Sequence, residues 1–285
     1  FNGLVEYTGS ENFSAVVQFG SSSQTYQWEG FYTAAPSTKS RKITVDGGYI
    51  KGGANYRMNR NSNIFFNVGQ IMRPPSFDGV FPNADYDFEE ADDITNESFT
   101  SFELGYGYIS SNFKANINAY HTVWGDRTLR RSTSIDDQGV RIIYDGVEQT
   151  HQGIEAEMTW YPSNRLRIRG MASIGDWKYS KNFDGDAYFI DNNQPAGTTG
   201  TLYLDGVKIG DAAQSVLYIG ADYKLSSKLS MDLDVMSFDN LHGRFGPLDS
   251  EFNSANNRGS IKLPSWGTVD PVSYTHLRAH ETPIN

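Results

Sequence analysis

Apolar and polar side chains alternate from Ser98 to Trp124, SFTSFELGYGYISSNFKANINAYHTVW, and that alternation restricts the chain to few folds. Phe102, Leu104, Tyr106 and Tyr108 are interleaved with Ser101, Glu103, Gly105 and Gly107. After the polar break Ser110-Ser111-Asn112, Phe113, Ala115, Ile117 and Ala119 are interleaved with Lys114, Asn116, Asn118 and Tyr120. A period of two sends successive side chains to opposite faces of a strand, whereas a helix would repeat every 3.6. Each arm is about 10 residues long, with one apolar and one polar face. That suits a hairpin meeting lipid on its outer side and water on its inner side.

The unit recurs along the chain. A first hairpin runs from Leu4 to Phe19 around Gly9-Ser10-Glu11-Asn12, with Phe13, Ala15, Val17 and Phe19 as its apolar row. A second turns at Asn59-Arg60-Asn61-Ser62-Asn63; matching its apolar rows places Ala54 opposite Val68, Tyr56 opposite Phe66 and Met58 opposite Ile64. Arg73-Pro74-Pro75 stops that strand, because proline cannot donate to a ladder. The Ser98–Trp124 hairpin comes third and runs into a polar loop to about Gln149, with turn signals at Asp136-Asp137-Gln138-Gly139 and Asp145-Gly146. The fourth sets Ile154, Ala156, Met158 and Trp160 against Leu166, Ile168, Gly170 and Ala172. Arg165, Arg167 and Arg169 fall in its polar row, and an arginine facing lipid at mid-depth costs roughly 2–4 kcal/mol, so they face the lumen or the interface. Glu157 is predicted opposite Arg169, as a cross-strand ion pair. The fifth sets Leu217, Ile219, Ala221 and Tyr223 against Leu229, Met231, Leu233 and Val235, and an eleventh strand is expected from Leu263 to Asp270.

Short connections near residues 10, 61, 111, 163 and 227 alternate with long ones. Short turns on one rim and long loops on the other are the pattern of an outer-membrane barrel. A propeller would need four strands per repeat where each repeat here supplies two. The predicted fold is all-β: the C-terminal-side portion of a transmembrane antiparallel up-and-down β-barrel, with about eleven strands visible, short periplasmic turns and long extracellular loops. Mean hydropathy of −0.52 is compatible with this, since only alternate residues of a strand touch lipid. A net charge of −10, with 34 acidic against 24 basic residues, argues against a nucleic-acid partner. The absence of cysteine removes disulfides and thiolate chemistry.

The alternation stops at Pro271. The string from Val272 to Thr282, VSYTHLRAHET, resembles the translation of a transposase-type sequencing adapter, and residues 271–285 are expected to be a non-native tail following a barrel domain of residues 1–270. His276 and His280, although spaced i, i+4, fall inside that tail and lack the glutamate of a zinc hydrolase motif. At the other end Phe1 already reads as strand, so further chain is expected upstream.

The segment Phe66–Phe77, FNVGQIMRPPSF, resembles the strand-then-Arg-Pro-Pro segment of the TonB-dependent receptors. NESFTSFELGYGY, around Glu97–Gly107, resembles that family's acidic loop leading into a strand with Glu-Leu-Gly. Ile209–Gln214 and Leu263-Pro264 resemble two later segments that precede strands. The resemblance implies a barrel of twenty-two strands filled by an N-terminal plug, in the outer membrane of a Gram-negative bacterium. It implies import of a scarce ligand (siderophore, vitamin, glycan or peptide) with energy transmitted through TonB. The visible strands would be about half of that barrel, on the C-terminal side of the plug.

Read from the residues alone, Lys114, Glu155, Glu157, Arg167, Arg169, Asp232 and Asp234 are expected to face the lumen, which suits passage or capture of a polar solute. Trp28, Tyr32, Arg73, Phe77, Phe81, Trp124 and Trp177 are candidate ligand contacts, since exposed aromatics and arginine anchor binding. Aromatics near strand ends equally suit the membrane interface, and Trp124, Trp160 and Tyr161 are the candidate girdle members. The acidic run Glu89–Asp93 lacks calcium-loop spacing and reads as a solvated loop face. His121 and His151 have no sequence-proximal triad partners, so no catalytic residue, metal or cofactor is expected. The partners expected are outer-membrane lipid, an extracellular ligand and TonB. A passive porin, or a barrel with an adhesive or hydrolytic role, is the alternative.

Overall fold

The computed structural model describes residues 1–32, 35–81, 90–91, 93–191, 194–210, 212–243, 246, 248 and 250–275. In chain order the strands are β1 (Asn2–Tyr7), β2 (Phe13–Tyr26), β3 (Glu29–Tyr32), β4 (Ala35–Lys39), β5 (Ile43–Arg57), β6 (Ser62–Arg73), β7 (Glu97–Ile109) and β8 (Phe113–Ile135). They continue as β9 (Gln138–Ser163), β10 (Leu166–Tyr179), β11 (Phe183–Phe189), β12 (Pro195–Leu202), β13 (Ala213–Lys224), β14 (Leu229–Leu241) and β15 (Trp266–Thr275). One helical turn, α1 (Phe77–Val80), and a 3₁₀ turn at Ser250–Asn253 complete the described elements.

Among the described residues the wall is a path of eleven antiparallel strands in the order β1-β2-β5-β6-β7-β8-β9-β10-β13-β14-β15, the expected up-and-down succession. β1 and β15 end the path, so the sheet is an open portion of a barrel. The rows of the Ser98–Trp124 hairpin pair as they read, Leu104 with Ala119, Tyr106 with Ile117 and Tyr108 with Ala115.

Two hairpins differ in register from the sequence reading. In the second, Ala54 faces Phe66 and Tyr56 faces Ile64, one pair along from the expected match. The Asn59 side-chain oxygen accepts from the backbone N–H groups of Asn61 (2.8 Å) and Ser62 (3.0 Å), an Asx turn that closes the loop early and leaves Met58 in it. In the fourth, a bulge between Leu166 and Ile168 sets Arg169 against Thr159 and Glu157 against Met171. The predicted Glu157–Arg169 pair is therefore not formed.

The expected polar loop after Trp124 is instead strand. β8 and β9 run on as a paired ribbon to Ile135 and Gln138. Asp136 (φ 50°) and Asp137 (φ 62°) form its tip, the left-handed pair that a tight hairpin needs. The Asp145-Gly146 signal marks no chain reversal: Gly146 (φ 67°) lies within β9 where the pairing with β8 shifts. β15 begins at Trp266 rather than Leu263 and pairs with β14 through Thr275, past the expected domain end at Asp270. Pro271 is accommodated there because β15 is the edge of the sheet. His276 and His280 lie outside the described residues.

The two faces of the wall are chemically distinct. One carries Phe102, Leu104, Ile117, Ile154, Ile219, Leu233 and Val235, all exposed. Towards the short turns that face ends in Tyr7, Phe13, Tyr56, Tyr108, Trp160 and Tyr223, an aromatic band of the kind that sits at a membrane interface. Trp160 belongs to this band. Trp124 does not, because it pairs with Phe99 on the opposite face.

That opposite face is polar and cross-linked from strand to strand. Asn63 donates to Asn55 (2.6 Å), Asn67 to Glu103 (3.0 Å) and Asn116 to Glu157 (2.9 Å). Arg167 binds Asp222 through two nitrogens (2.7 and 2.8 Å), and Arg169 reaches Asp222 (3.2 Å) and Asp234 (2.9 Å). Tyr218 also donates to Asp234 (2.7 Å).

Buried apolar residues gather at the long-loop end rather than within the wall. Tyr144, Val147, Tyr179, Phe183, Leu202, Leu204, Val207 and Phe252 form one core, which packs β11 and the chain after β12 against the β8–β9 extension. Tyr26, Trp28, Ile43, Val80 and Phe81 form a second, fixing α1 against the upper ends of β2 and β5.

Candidate functional site

The polar face carries an aromatic and cationic cluster near its long-loop end, positioned by strand register. Arg73 is paired with Glu97 across β6–β7, and Phe99 with Trp124 across β7–β8. One Glu97 carboxylate oxygen accepts both the Arg73 guanidinium and the Trp124 indole N–H (3.0 Å). The Phe99 and Trp124 rings stack with centroids 5.0 Å apart and planes 22° apart. Arg73 lies 5.6 Å from the Phe99 centroid and 5.8 Å from that of Trp124. Past Trp124 the ladder shifts at Asp126 (φ 57°), and Arg127 comes 3.9 Å from the Trp124 centroid. Such cation–π contacts are worth about 0.5–1 kcal/mol when exposed and more when desolvated. Two guanidiniums against one carboxylate leave the cluster net positive.

Two strands further round, the Trp177 indole donates to the Tyr120 hydroxyl (2.9 Å), and the His151 ring lies 5.6 Å from the Trp177 ring. Gly175 leaves room for that indole: a Cβ there would stand 2.7 Å from Trp177 Nε1. The Trp177 backbone N–H donates to the buried Gln214 side chain (2.9 Å), whose amide returns hydrogen bonds to the carbonyls of Trp177 and Ile209 (3.0 Å each). The indole is thus held in one orientation. Behind the cluster, burial pushes the Tyr179 phenol up, while the Gln149 hydrogen bond and then Arg127 pull it back. Burial likewise raises the Tyr26 phenol, opposed by the Arg73 charge, and Tyr26 donates to the Pro75 carbonyl (2.6 Å).

Of the seven candidate ligand contacts, Arg73 and Trp124 meet directly and Trp177 shares their face. Trp28 and Phe81 are buried in the second loop core and present no surface. Phe77, on α1, is partly exposed and packs 5.1 Å from the Phe81 ring. The Tyr32 side chain lies outside the described residues. The seven residues expected to face the lumen share the polar face: Lys114 is opposite Thr159, Glu155 opposite Asn118 and Ser173, and Glu157 opposite Asn116. Arg167 and Arg169 continue that row through Asp222 to Asp234, with Asp232 on the same side of β14. Sequence reading missed Glu97, Phe99 and Arg127. Phe99 is in phase with the polar row, a usable signal, but the shift that swings Arg127 over Trp124 leaves no periodic trace. In the acidic run, Glu90 is paired with Arg41.

A sheet with an apolar, aromatic-banded outer face and a hydrogen-bonded polar inner face is the wall of a transmembrane β-barrel. Within that class, the family described as TonB dependent receptor-like, beta-barrel, matches residues 11–276, and the chain belongs to this family. No curated protein sequence matches the chain. Among solved structures, the ferric-catecholate import receptor Fiu from E. coli K12 superposes with a TM-score of 0.62 at 11% identity, over 95% of this chain and 37% of Fiu. The copper transporter OprC superposes with a TM-score of 0.50 at 12% identity, over 96% of this chain and 47% of OprC. The chain thus spans less than half the length of either neighbour, and at these identities the likeness is one of fold.

Proposed function

We propose that the chain is part of the wall of a receptor in the outer membrane of a Gram-negative bacterium, which takes up a scarce extracellular ligand with energy delivered through TonB. The observation that carries this reading is the two-faced wall in a chain of the TonB-dependent receptor family. Arg73, Phe99, Trp124 and Arg127, with Trp177 beside them, form the ligand-contacting part of the inner wall. A net positive, ring-bearing surface at the open end of the wall suits an anionic or aromatic solute. A ferric catecholate, the cargo named for Fiu, fits that surface and is the one to try first.

The test uses the full-length protein recovered from its gene. In planar bilayers a plugged receptor holds no steady open channel, and uptake of the cargo in cells stops when TonB is deleted. Stepwise conductance, with uptake indifferent to TonB, would make it a passive porin instead. We also propose that residues 271–285 are not native; the pairing of β15 through Thr275 is backbone pairing, which sets little demand on side chains. Genomic DNA that encodes VSYTHLRAHET after Asp270 would refute this.

A further inference from the structure

Above the apolar outer band, β10 carries Ile174, Asp176 and Lys178 on one face, since alternate residues of a strand share a side. The chain after β12 joins this edge: Lys208 pairs with Lys178 in an isolated bridge. The Asp176 carboxylate is shared by two ammonium groups, Lys178 (3.2 Å) and Lys208, which leaves an uncompensated positive charge. On β14, Asp239 continues the outward row of Val235 and meets Lys262 (3.3 Å). His242 lies between the two groups: burial lowers its pKa, a backbone hydrogen bond with Asn240 opposes this, and the charges of Lys208 and Lys262 lower it further. Among the described residues of these two groups, three lysines therefore stand against two aspartates beyond exposed Ile174 and Val235.

Below them the apolar face is not smooth. A groove of about 600 Å³ is floored by Ala156, Gly170 and Ala172 and walled by Met158, Leu217 and Ile219. Ala172 precedes Lys178 by six residues on the same face of β10, about 20 Å along a strand at 3.3–3.4 Å per residue.

We propose that this part of the outer wall binds an anionic lipid of the surrounding membrane, with its headgroup phosphate between Lys178, Lys208 and Lys262 and an acyl chain in the groove below. The charge excess lies where the wall leaves the hydrocarbon, and it shares one face of β10 with the groove below. The inference rests on reading the apolar face as the lipid face.

The test takes the full-length protein, extracted in detergent, into mixed micelles doped with phosphatidylglycerol or with phosphatidylcholine, and counts retained lipids by native mass spectrometry. We expect phosphatidylglycerol to be retained in preference, by about fivefold for each lysine engaged. The triple variant K178Q/K208Q/K262Q should lose the preference, and K178R/K208R/K262R should keep it. Equal retention of both lipids by the native protein, or a preference that survives in the glutamine variant, overturns the site while leaving the receptor reading intact. Failure of the native protein to insert into vesicles overturns both.

Discussion

The assignment of faces makes a quantitative demand on Ile219. It stands at the middle of the outward row of β13, two residues from Leu217 and from Ala221, between the interface ring of Tyr223 and the polar Ser215. It is 52% exposed in the chain alone, so in a membrane its side chain meets lipid rather than protein. Ile219→Ala removes three apolar carbons and is expected to cost about 2 kcal/mol. Ile219→Arg should cost a further 2–4 kcal/mol, the penalty for a cation at the bilayer midplane. Leu225, beyond the end of β13 at the short-turn rim, is 42% exposed, and Leu225→Arg should cost only about 0–1 kcal/mol because its guanidinium reaches the headgroups. The assay is reversible guanidinium unfolding of the full-length protein in lipid vesicles, followed by tryptophan fluorescence and heat-modified gel mobility. Equal costs for arginine at 219 and at 225 would refute the lipid-facing assignment, since only depth distinguishes the two sites.

Other consequences can be measured in the same preparation. A double-mutant cycle on Arg169 and Asp234 should give a coupling of about 0.5–1 kcal/mol, modest because both groups are partly exposed, while Arg169 and Glu157 should show none. Leu202→Ala, at a fully buried position of the larger loop core, should cost about 2–5 kcal/mol locally. It should open residues 181–210 to protease without changing barrel mobility. His242 has a folded pKa below its ordinary 6.5, so the unfolded segment binds the proton more readily. Stability of the surrounding loops should be unaffected above about pH 6.5 and fall as the pH drops from there towards the folded value. Proteolysis of the His242–Lys262 region across that window should show it, and His242→Gln should flatten it.

What could be read from the sequence follows from which environments are uniform along the chain. The wall was legible because lipid and polar interior are each a single medium, so every strand repeats one two-residue pattern, and Phe102 to Tyr108 needs no partner to be assigned a face. The loop cores were not. Trp28 and Phe81 look like exposed loop aromatics, but they meet in a core built from segments more than fifty residues apart, without period. The ribbon from Gly125 to Gln149 was hidden for a related reason: it stands clear of the membrane, so nothing forces its outer face to be apolar. The aromatic and cationic cluster on the polar face was half legible. Arg73 and Trp124 were named as residue types that bind, but their partner Glu97 and the backbone shift that brings in Arg127 belong to pairing geometry, not composition.

The register differences show why faces survive where pairings do not. In both the second and the fourth hairpin the pairing lies two residues from the expected match, in the fourth as the net of a displaced turn and a one-residue bulge; each move is a whole period of the strand. Arg169 therefore kept its face and lost only its predicted partner, exchanging Glu157 for Asp222 and Asp234 on strands later in the chain. A slip of one residue would have been costly, because it would have turned three arginines of β10 and its turn into lipid at several kcal/mol in total. Selection against that error acts on parity alone, so an alternating sequence specifies which side a residue faces far more tightly than whom it faces. The partner is decided by local devices, the Asn59 turn in one hairpin and the bulge at Leu166 in the other. Removing the Asx cap with Asn59→Ala should loosen the second hairpin by about 1 kcal/mol while leaving Phe66 on the outer face. A lipid-quenching probe at position 66 that moved to the lumen in that variant would show that the turn, not the two-faced pattern, sets the side.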